Sequence, residues 1–109
     1  MSKDITTVGA DSVAFGYEAL AVLDDAVCVL TSSEYVATAP ARQCRALITV
    51  ETHQLRYTLE GTAPSSTVGH LIEIGDVLVI EGAANIALFK CISTTTDHGA
   101  IKVTYFQYY

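Results

Sequence analysis

The alternation of side chains in the segment 55–60 constrains the fold more than any other feature of the sequence. Its odd-numbered residues are apolar and its even-numbered residues are polar, which is the period-two pattern of a strand with one dry face and one solvated face. The next run, 61–69, contains Pro64 and several Ser and Thr residues between Gly61 and Gly69. This composition predicts a long ordered loop in which both glycines can take positive φ. We expect that loop to carry the chain from one β-layer to another.

Other short runs rich in strand-favouring residues are separated by turn signals along the chain. We predict strands near 13–17, 26–31, 45–51, 54–60, 71–74, 77–81, 86–92 and 101–106. A helix over 17–24 competes with an extended first segment, because several residues there are good helix formers. Val77–Ile80 is apolar at every position, which favours a strand covered on both faces. Seven or eight short strands predict an all-β fold, a single-domain β-sandwich or jelly-roll-like barrel.

The connections between these strands are less clearly encoded. Thr52-His53 suits a two-residue hairpin, and a bent continuous strand is the alternative. The segment 82–85 reads as a turn or one short helical turn, and 94–99 as a polar hairpin loop. The link 31–43 can hold a turn at Ser32–Glu34 that caps a short helix. Residues 1–12 are expected to form an N-terminal arm that can pair with an edge strand, ahead of one β domain over 13–109.

The composition argues against several classes of partner. The chain has 109 residues, a formal net charge of −6 and only six Lys plus Arg, so a basic face for nucleic acid is not expected. A membrane surface is disfavoured for the same reason, and no apolar run reaches the ~20 residues of a membrane helix. Residues 1–7 lack the apolar core of a signal peptide. We therefore expect a protein made in a reducing cytoplasm.

Neither the cysteines nor the histidines form a recognisable chemical motif. Cys28, Cys44 and Cys91 are odd in number and widely spaced, and the first and last lie in apolar runs, so buried free thiols are expected. His53, His70 and His98 fall in predicted loops or turns without metal-ligand spacing, and they are expected to be solvated. Neither a nucleophile elbow nor a phosphate-binding glycine loop is present. We expect no catalytic residues, no metal and no cofactor.

The segment 71–82 is similar to the Gly-Asp strand with a terminal glycine found in jelly-roll cupins. Cupins take their metal ligands from a His-x-His strand before this segment and from a histidine after it. Neither feature accompanies it here. The resemblance therefore supports a jelly-roll-like strand and argues against cupin metal chemistry.

The C-terminus carries four aromatic residues in five positions, which is a heavy load for the end of a chain. Alternate rings of a last strand belong in the core, but both faces of a terminal strand are hard to bury in a small sandwich. Tyr and Phe often anchor protein interfaces because they offer a large rigid area. We predict an interface that combines this end with part of the long loop: Tyr105, Phe106, Tyr108, Tyr109, Thr62, Ala63 and Pro64.

Several segments between residues 45 and 106 form a recognisable combination: 46–52, 55–61, the loop Gly-Thr-Ala-Pro-x-x-x-x-Gly-His at 61–70, Gly75-Asp76 and 103–106. Over this range the chain resembles small structural proteins of tailed bacteriophages and prophages. The resemblance implies a virion protein assembled in the host cytoplasm. We expect a capsid decoration or cement protein that binds the major capsid protein or other virion proteins, and that forms a homo-oligomer. A tail or head-to-tail connector component is an alternative, and a cupin-like or sugar-binding sandwich is an alternative of another class.

Overall fold

The strand pairings define two four-stranded antiparallel sheets, which confirms the all-β prediction. The computed structural model describes residues 12–32 and 44–108. Eight strands and one helix lie within these ranges: β1 Ser12–Val22, β2 Cys28–Val29, β3 Cys44–Thr52, β4 Leu55–Thr58, β5 His70–Ile72, β6 Val77–Glu81, α1 Ala83–Leu88, β7 Lys90–Ser93 and β8 Gly99–Tyr108. The extended β1 excludes the competing helix over 17–24.

The order of the strands is that of a jelly roll. The first sheet has the order β1-β8-β3-β6 and the second has the order β2-β7-β4-β5. Strand 1 pairs with 8, 2 with 7, 3 with 6 and 4 with 5, as in one long antiparallel ribbon folded on itself. The pairs β3–β8 and β4–β7 complete the two sheets. Eight strands in two such sheets are characteristic of jelly-roll domains.

The chain changes sheet at every connection between consecutive strands except β4–β5. The predicted role of the long loop in crossing between layers is therefore wrong, because the loop joins two neighbours in the second sheet. The segment Thr52–Gln54 is neither a hairpin nor a bent strand. This segment carries the chain from the first sheet to the second, and His53 in it has a positive φ of 60°. The segment 94–98 is likewise a crossover and not a hairpin loop.

The core lies between the two sheets. The alternation predicted for 55–60 holds at Leu55, which is buried, but Leu59 of the expected dry face is exposed and Thr58 of the expected solvated face is buried. In β3 alternate residues from Cys44 to Val50 are buried and those between them are half-buried. Across from them, Leu55, Ile72 and Cys91 of the second sheet point inwards. One helical side chain, Ile86, closes the core with no exposed surface. Burying these branched side chains is the main source of stability for such a sandwich.

Two sequence predictions fail on the β6 side of the molecule. Val77–Val79 is only half-buried, because β6 is an edge strand that pairs with β3 on one side. The helical alternative for 82–85 agrees with α1, but the strand predicted from 86 is wrong at its start, because α1 continues to Leu88 and β7 begins at Lys90. Ile86 is buried, as it would be on an inward-facing strand position, but it belongs to a helix. The N-terminal arm and most of the 31–43 link lie outside the described residues.

Candidate interaction surface

The first aromatic residue of the predicted interface, Tyr105, lies in the core. Its side chain has no exposed surface, and its ring lies 6.3 Å from the ring of Phe15. Its hydroxyl donates a hydrogen bond to the Glu18 carboxylate on the neighbouring strand β1. The same carboxylate accepts hydrogen bonds from the hydroxyl of Thr31 at 2.6 Å and from its amide at 3.1 Å. Tyr105 thus joins β8 to β1 from the inside and has no exposed surface to offer to a partner.

Phe106 points to the other face of β8, where it is also buried. It is 6% exposed, and its nearest cross-strand neighbours are Ala14 and Arg45. The guanidinium carbon of Arg45 lies 5.6 Å from the centre of the ring, at a distance suited to a cation–π contact. The Tyr108 side chain and Tyr109 lie outside the described residues. The two described rings therefore serve the fold of the monomer.

The long loop between β4 and β5 is anchored by two cationic side chains of the second sheet. Arg56 donates from Nε to the carbonyl of Ser66 at 2.9 Å and from Nη1 to the carbonyl of Gly69 at 2.8 Å. Lys90 donates from Nζ to the carbonyl of Gly61 at 3.0 Å. These charge-assisted bonds are stronger than neutral ones. They hold both ends of the loop against the strands, so the prediction of an ordered loop has a structural basis.

The loop is also closed by its own side chains. The Ser65 hydroxyl accepts hydrogen bonds from the amides of Thr67 and Val68 at 3.2 and 3.1 Å, as in an ST-turn. At the start of the loop, hydrogen bonds from the hydroxyl and amide of Thr62 lower the pKa of Glu60. Pro64 is buried. These contacts within the loop add to the bonds from Arg56 and Lys90 that hold it.

Large apolar side chains are exposed along this loop and immediately after it. Leu59, Val68, Leu71 and Ile74 are 42, 45, 49 and 56% exposed. They make up four of the nine large hydrophobic residues that are exposed in the described ranges. We call the stretch 59–74 the platform. Of the predicted loop residues, Thr62 and Ala63 are exposed on it.

The platform continues into a cleft at the edge of the first sheet. A cleft of about 290 Å³ is lined by Leu59 of the platform, by Asn85 of α1 and by the β6 segment 78–81. Side chains of successive strand residues point to opposite faces, so a cleft that touches four in a row runs along the open edge of β6. The edge strands β5 and β6 lie on the same side of the sandwich because the short turn 73–76 joins them. That turn is closed by Asp76, whose carboxylate accepts the amide of Glu73 at 2.8 Å.

Sequence reasoning missed these exposed apolar residues because an apolar residue beside a strand is normally assigned to the core. It also gave no role to Arg56 or Lys90, since single cations on a strand are usually solvated. The one available signal in the sequence was that Arg56 lies close, along the chain, to the loop that it binds. The contact itself forms because β4 and β5 pair as a hairpin and bring the two segments together.

Each of the three histidines has a different neighbour. His53 Nε2 is 3.7 Å from the Asp97 carboxylate, His98 Nε2 is 4.0 Å from that of Asp24, and the His70 ring lies 5.5 Å from that of Tyr57. His70 begins β5 and is not in a loop. Within the described ranges, no three His, Cys, Asp or Glu side chains come together in a way that could hold a metal ion. In the same ranges, no helix has the length and apolar character to cross a membrane.

No protein-family model, curated protein or solved structure matches this chain. The fold and the platform are therefore interpreted from this molecule alone. The resemblance to phage structural proteins stays a prediction that rests on the motifs quoted above.

Replacing Arg56 with Met tests the anchoring of the loop. The substitution keeps the apolar part of the side chain and removes both hydrogen bonds to the loop carbonyls. We expect a loss of about 2 kcal/mol in the free energy of unfolding, in line with hydrogen bonds to charged groups. Hydrogen exchange of the Thr67 and Val68 amides should accelerate about tenfold as the loop opens locally.

The matched control for this experiment is Lys102→Met. It removes a positive charge from β8 in the other sheet and leaves the loop contacts unchanged. Its exchange rates at residues 65–69 should equal those of the wild type. If Arg56→Met leaves these rates unchanged as well, the loop does not depend on the guanidinium contacts.

Proposed function

We propose that this chain is a bacteriophage virion structural protein, a decoration or cement protein that binds the major capsid lattice through the platform. One observation carries the proposal: the loop 59–69, strand β5 and the turn after it present four large apolar side chains to solvent within one short stretch of the chain. Exposed apolar surface that is concentrated in this way is a mark of protein interaction sites. The protein acts by binding and performs no reaction.

The position of the platform also agrees with the phage resemblance. The loop motif at 61–70 is its most specific part, and this segment forms most of the platform. Two-sheet jelly rolls are widely used in viral capsid domains, although lectins and cupins share the architecture. The jelly-roll fold therefore agrees with the proposed role but is shared with proteins of other functions. The loop motif is the feature that points to a phage protein.

The anchoring of the loop supports binding by shape. A flexible eleven-residue segment loses conformational freedom when it docks, and that loss weakens binding. In the segment 59–69 three charge-assisted hydrogen bonds and an ST-turn have already restricted the chain. The repeated sites of a capsid lattice suit a domain that is presented in one conformation and binds many equivalent copies of its partner.

Two other functions were considered from the sequence. A tail or connector component could use the same platform, and binding to isolated tails distinguishes it from a capsid role. A cupin-like metal site lacks support, because no three His, Cys, Asp or Glu side chains of the described residues come together. No feature of the described surface favours sugar binding specifically.

The test is binding of the purified full chain to shells assembled from the major capsid protein of the same phage, measured by co-sedimentation. Val68→Asp and Leu71→Asp place a charge in the proposed contact. We expect each to weaken binding at least tenfold, because a buried unpaired carboxylate costs more than 1.4 kcal/mol. Val29→Asp is the matched control, since Val29 is 51% exposed on β2 at the opposite side of the sheet. It should bind like the wild type.

Equal binding by all three variants would remove the platform from the interface. Binding to isolated tails with none to capsid shells would replace the decoration role by the tail or connector role. Sedimentation of the free protein measures its mass at the same time, and a monomer would contradict the predicted homo-oligomer. The open edge of β6 is suited to strand addition between copies.

A further inference from the structure

Two free cysteines face each other across neighbouring strands of the second sheet. Cys28 of β2 is directly opposite Cys91 of β7 in the antiparallel register. Opposed residues in such a pair have Cα atoms about 4.5–5.5 Å apart. Disulfides join Cα atoms about 4.4–6.8 Å apart. The backbone therefore already lies within the range that a disulfide requires.

The two thiols have different environments. Cys91 is 1% exposed, whereas Cys28 is half-buried on a two-residue strand at the edge of the sheet. The hydrogen bond from Cys91 lowers the pKa of Cys28 against the opposing effects of burial and of the Glu18 charge. The same bond, together with burial, raises the pKa of Cys91. An external reagent thus meets Cys28 first, and Cys28 is the thiol that ionises more readily.

We propose that Cys28 and Cys91 form a site of reversible oxidative modification, which uses a low-molecular-weight disulfide such as oxidised glutathione to close an intramolecular disulfide between β2 and β7. The strand β2 is paired over only two residues at the edge of the sheet, so it can adjust to bond formation more easily than a central strand. Cys44 takes no part, because it lies on β3 in the other sheet. The inference rests on the register of the two strands and does not depend on the capsid role.

The reaction is two thiol–disulfide exchanges. The Cys28 thiolate attacks one sulfur of oxidised glutathione, a protein–glutathione bond forms, and one glutathione thiolate leaves and takes up the proton that Cys28 lost. Cys91 then gives up its proton, attacks the Cys28 sulfur and displaces the second glutathione, which leaves as a thiol. Two protein thiols are oxidised to one disulfide, and one glutathione disulfide is reduced to two thiols.

The physical consequence is a cross-link that closes a long stretch of chain. The bond would tie the two-residue β2 to β7 and enclose β3 to β6 in the covalent loop. Cross-linking distant residues restricts the unfolded chain, so the oxidised protein should be more stable than the reduced one. A protein released from a reducing cytoplasm into an oxidising medium would gain this stability after release.

The experiment equilibrates the full-length protein with oxidised glutathione at pH 8, then unfolds and alkylates it for intact mass and peptide mapping. We expect two of the three thiols to become resistant to alkylation, with the peptides around 28 and 91 linked. The oxidised protein should melt on the order of 10 °C higher, and reduction should reverse the shift. Cys44→Ser should behave like the wild type. Cys91→Ser should stop at a glutathione adduct on Cys28.

Three alkylatable thiols in the wild type after equilibration would overturn the proposal. A disulfide that includes Cys44, a stable glutathione adduct on wild-type Cys28, or a cross-linked dimer would overturn it as well. Each of these readings comes from the wild-type protein. The test therefore holds even if a serine at the buried position 91 prevents folding.

Discussion

Tyr105→Ala is expected to destabilise the protein more than any of the other proposed substitutions of a single side chain. Truncating a fully buried aromatic side chain costs about 3–5 kcal/mol, because burial is lost and a cavity remains. Tyr105 has no exposed surface, and its hydroxyl also bonds to Glu18. Domains of this size have total stabilities of about 5–15 kcal/mol, so the loss is a large part of the whole. Thermal unfolding should shift down by roughly 15–25 °C.

Tyr105→Phe separates the ring from the hydroxyl. It keeps the packing against Phe15 and removes the hydrogen bond to Glu18, whose carboxylate still accepts the amide and hydroxyl of Thr31. We expect this variant to lose about 1–2 kcal/mol in chemical denaturation. If Tyr105→Ala and Tyr105→Phe lose the same amount, the ring contributes little, and the assignment of Tyr105 to the core is wrong.

The strands and their inward faces were largely predictable from the sequence. Alternation marks a strand because successive side chains point to opposite faces, and this signal predicted the buried face of β8, which contains Val103, and the burial of Leu55 in β4. It was wrong at the end of β4, where Leu59 is exposed and Thr58 is buried. The conformation of the two loop glycines was equally predictable from the sequence. Gly61 and Gly69 were expected to allow positive φ, and they take 98° and 119°.

The assignment of strands to sheets was not predictable in the same way. Alternation reports which face of a strand is dry, but it carries no information on the neighbouring strand. The segment around His53 therefore looked like a hairpin, although it connects different sheets. Val77–Val79 looked covered on both faces because an edge strand with apolar residues on both faces has the same sequence signature as a central strand.

The candidate site was predicted only in part. The loop was singled out from its residues, and Thr62 and Ala63 are exposed on it. The terminal aromatic residues were placed at the surface on the argument that a last strand cannot bury both faces. Here β8 is not at an edge, since it lies between β1 and β3, and Phe106 is covered on the outer side. Phe106 is buried because β8 is a central strand, and only the sheet topology shows that position.

Gly69→Ala is expected to disrupt the platform with the next largest loss of stability, about 3 kcal/mol. Gly69 has a φ of 119°, where residues with a Cβ are strained by about 1–3 kcal/mol. A Cβ there would also lie 2.9 Å from the carbonyl oxygen of Tyr57 and 3.3 Å from its amide nitrogen. Both contacts are with backbone that is paired in β4, so the loop must move. That movement would break the hydrogen bond from Arg56 to the Gly69 carbonyl.

Gly61→Ala provides the comparison that isolates the steric contact. Gly61 has a φ of 98° and so carries a similar backbone strain, but a Cβ there would meet only the flexible end of Leu88 at 3.4 Å. We expect a loss of about 1–2 kcal/mol for this variant, and about twice as much for Gly69→Ala, by chemical denaturation. Hydrogen exchange should show opening of 65–69 in Gly69→Ala alone. Equal losses with equal exchange would mean that the close approach of the loop to β4 does not hold the platform in place.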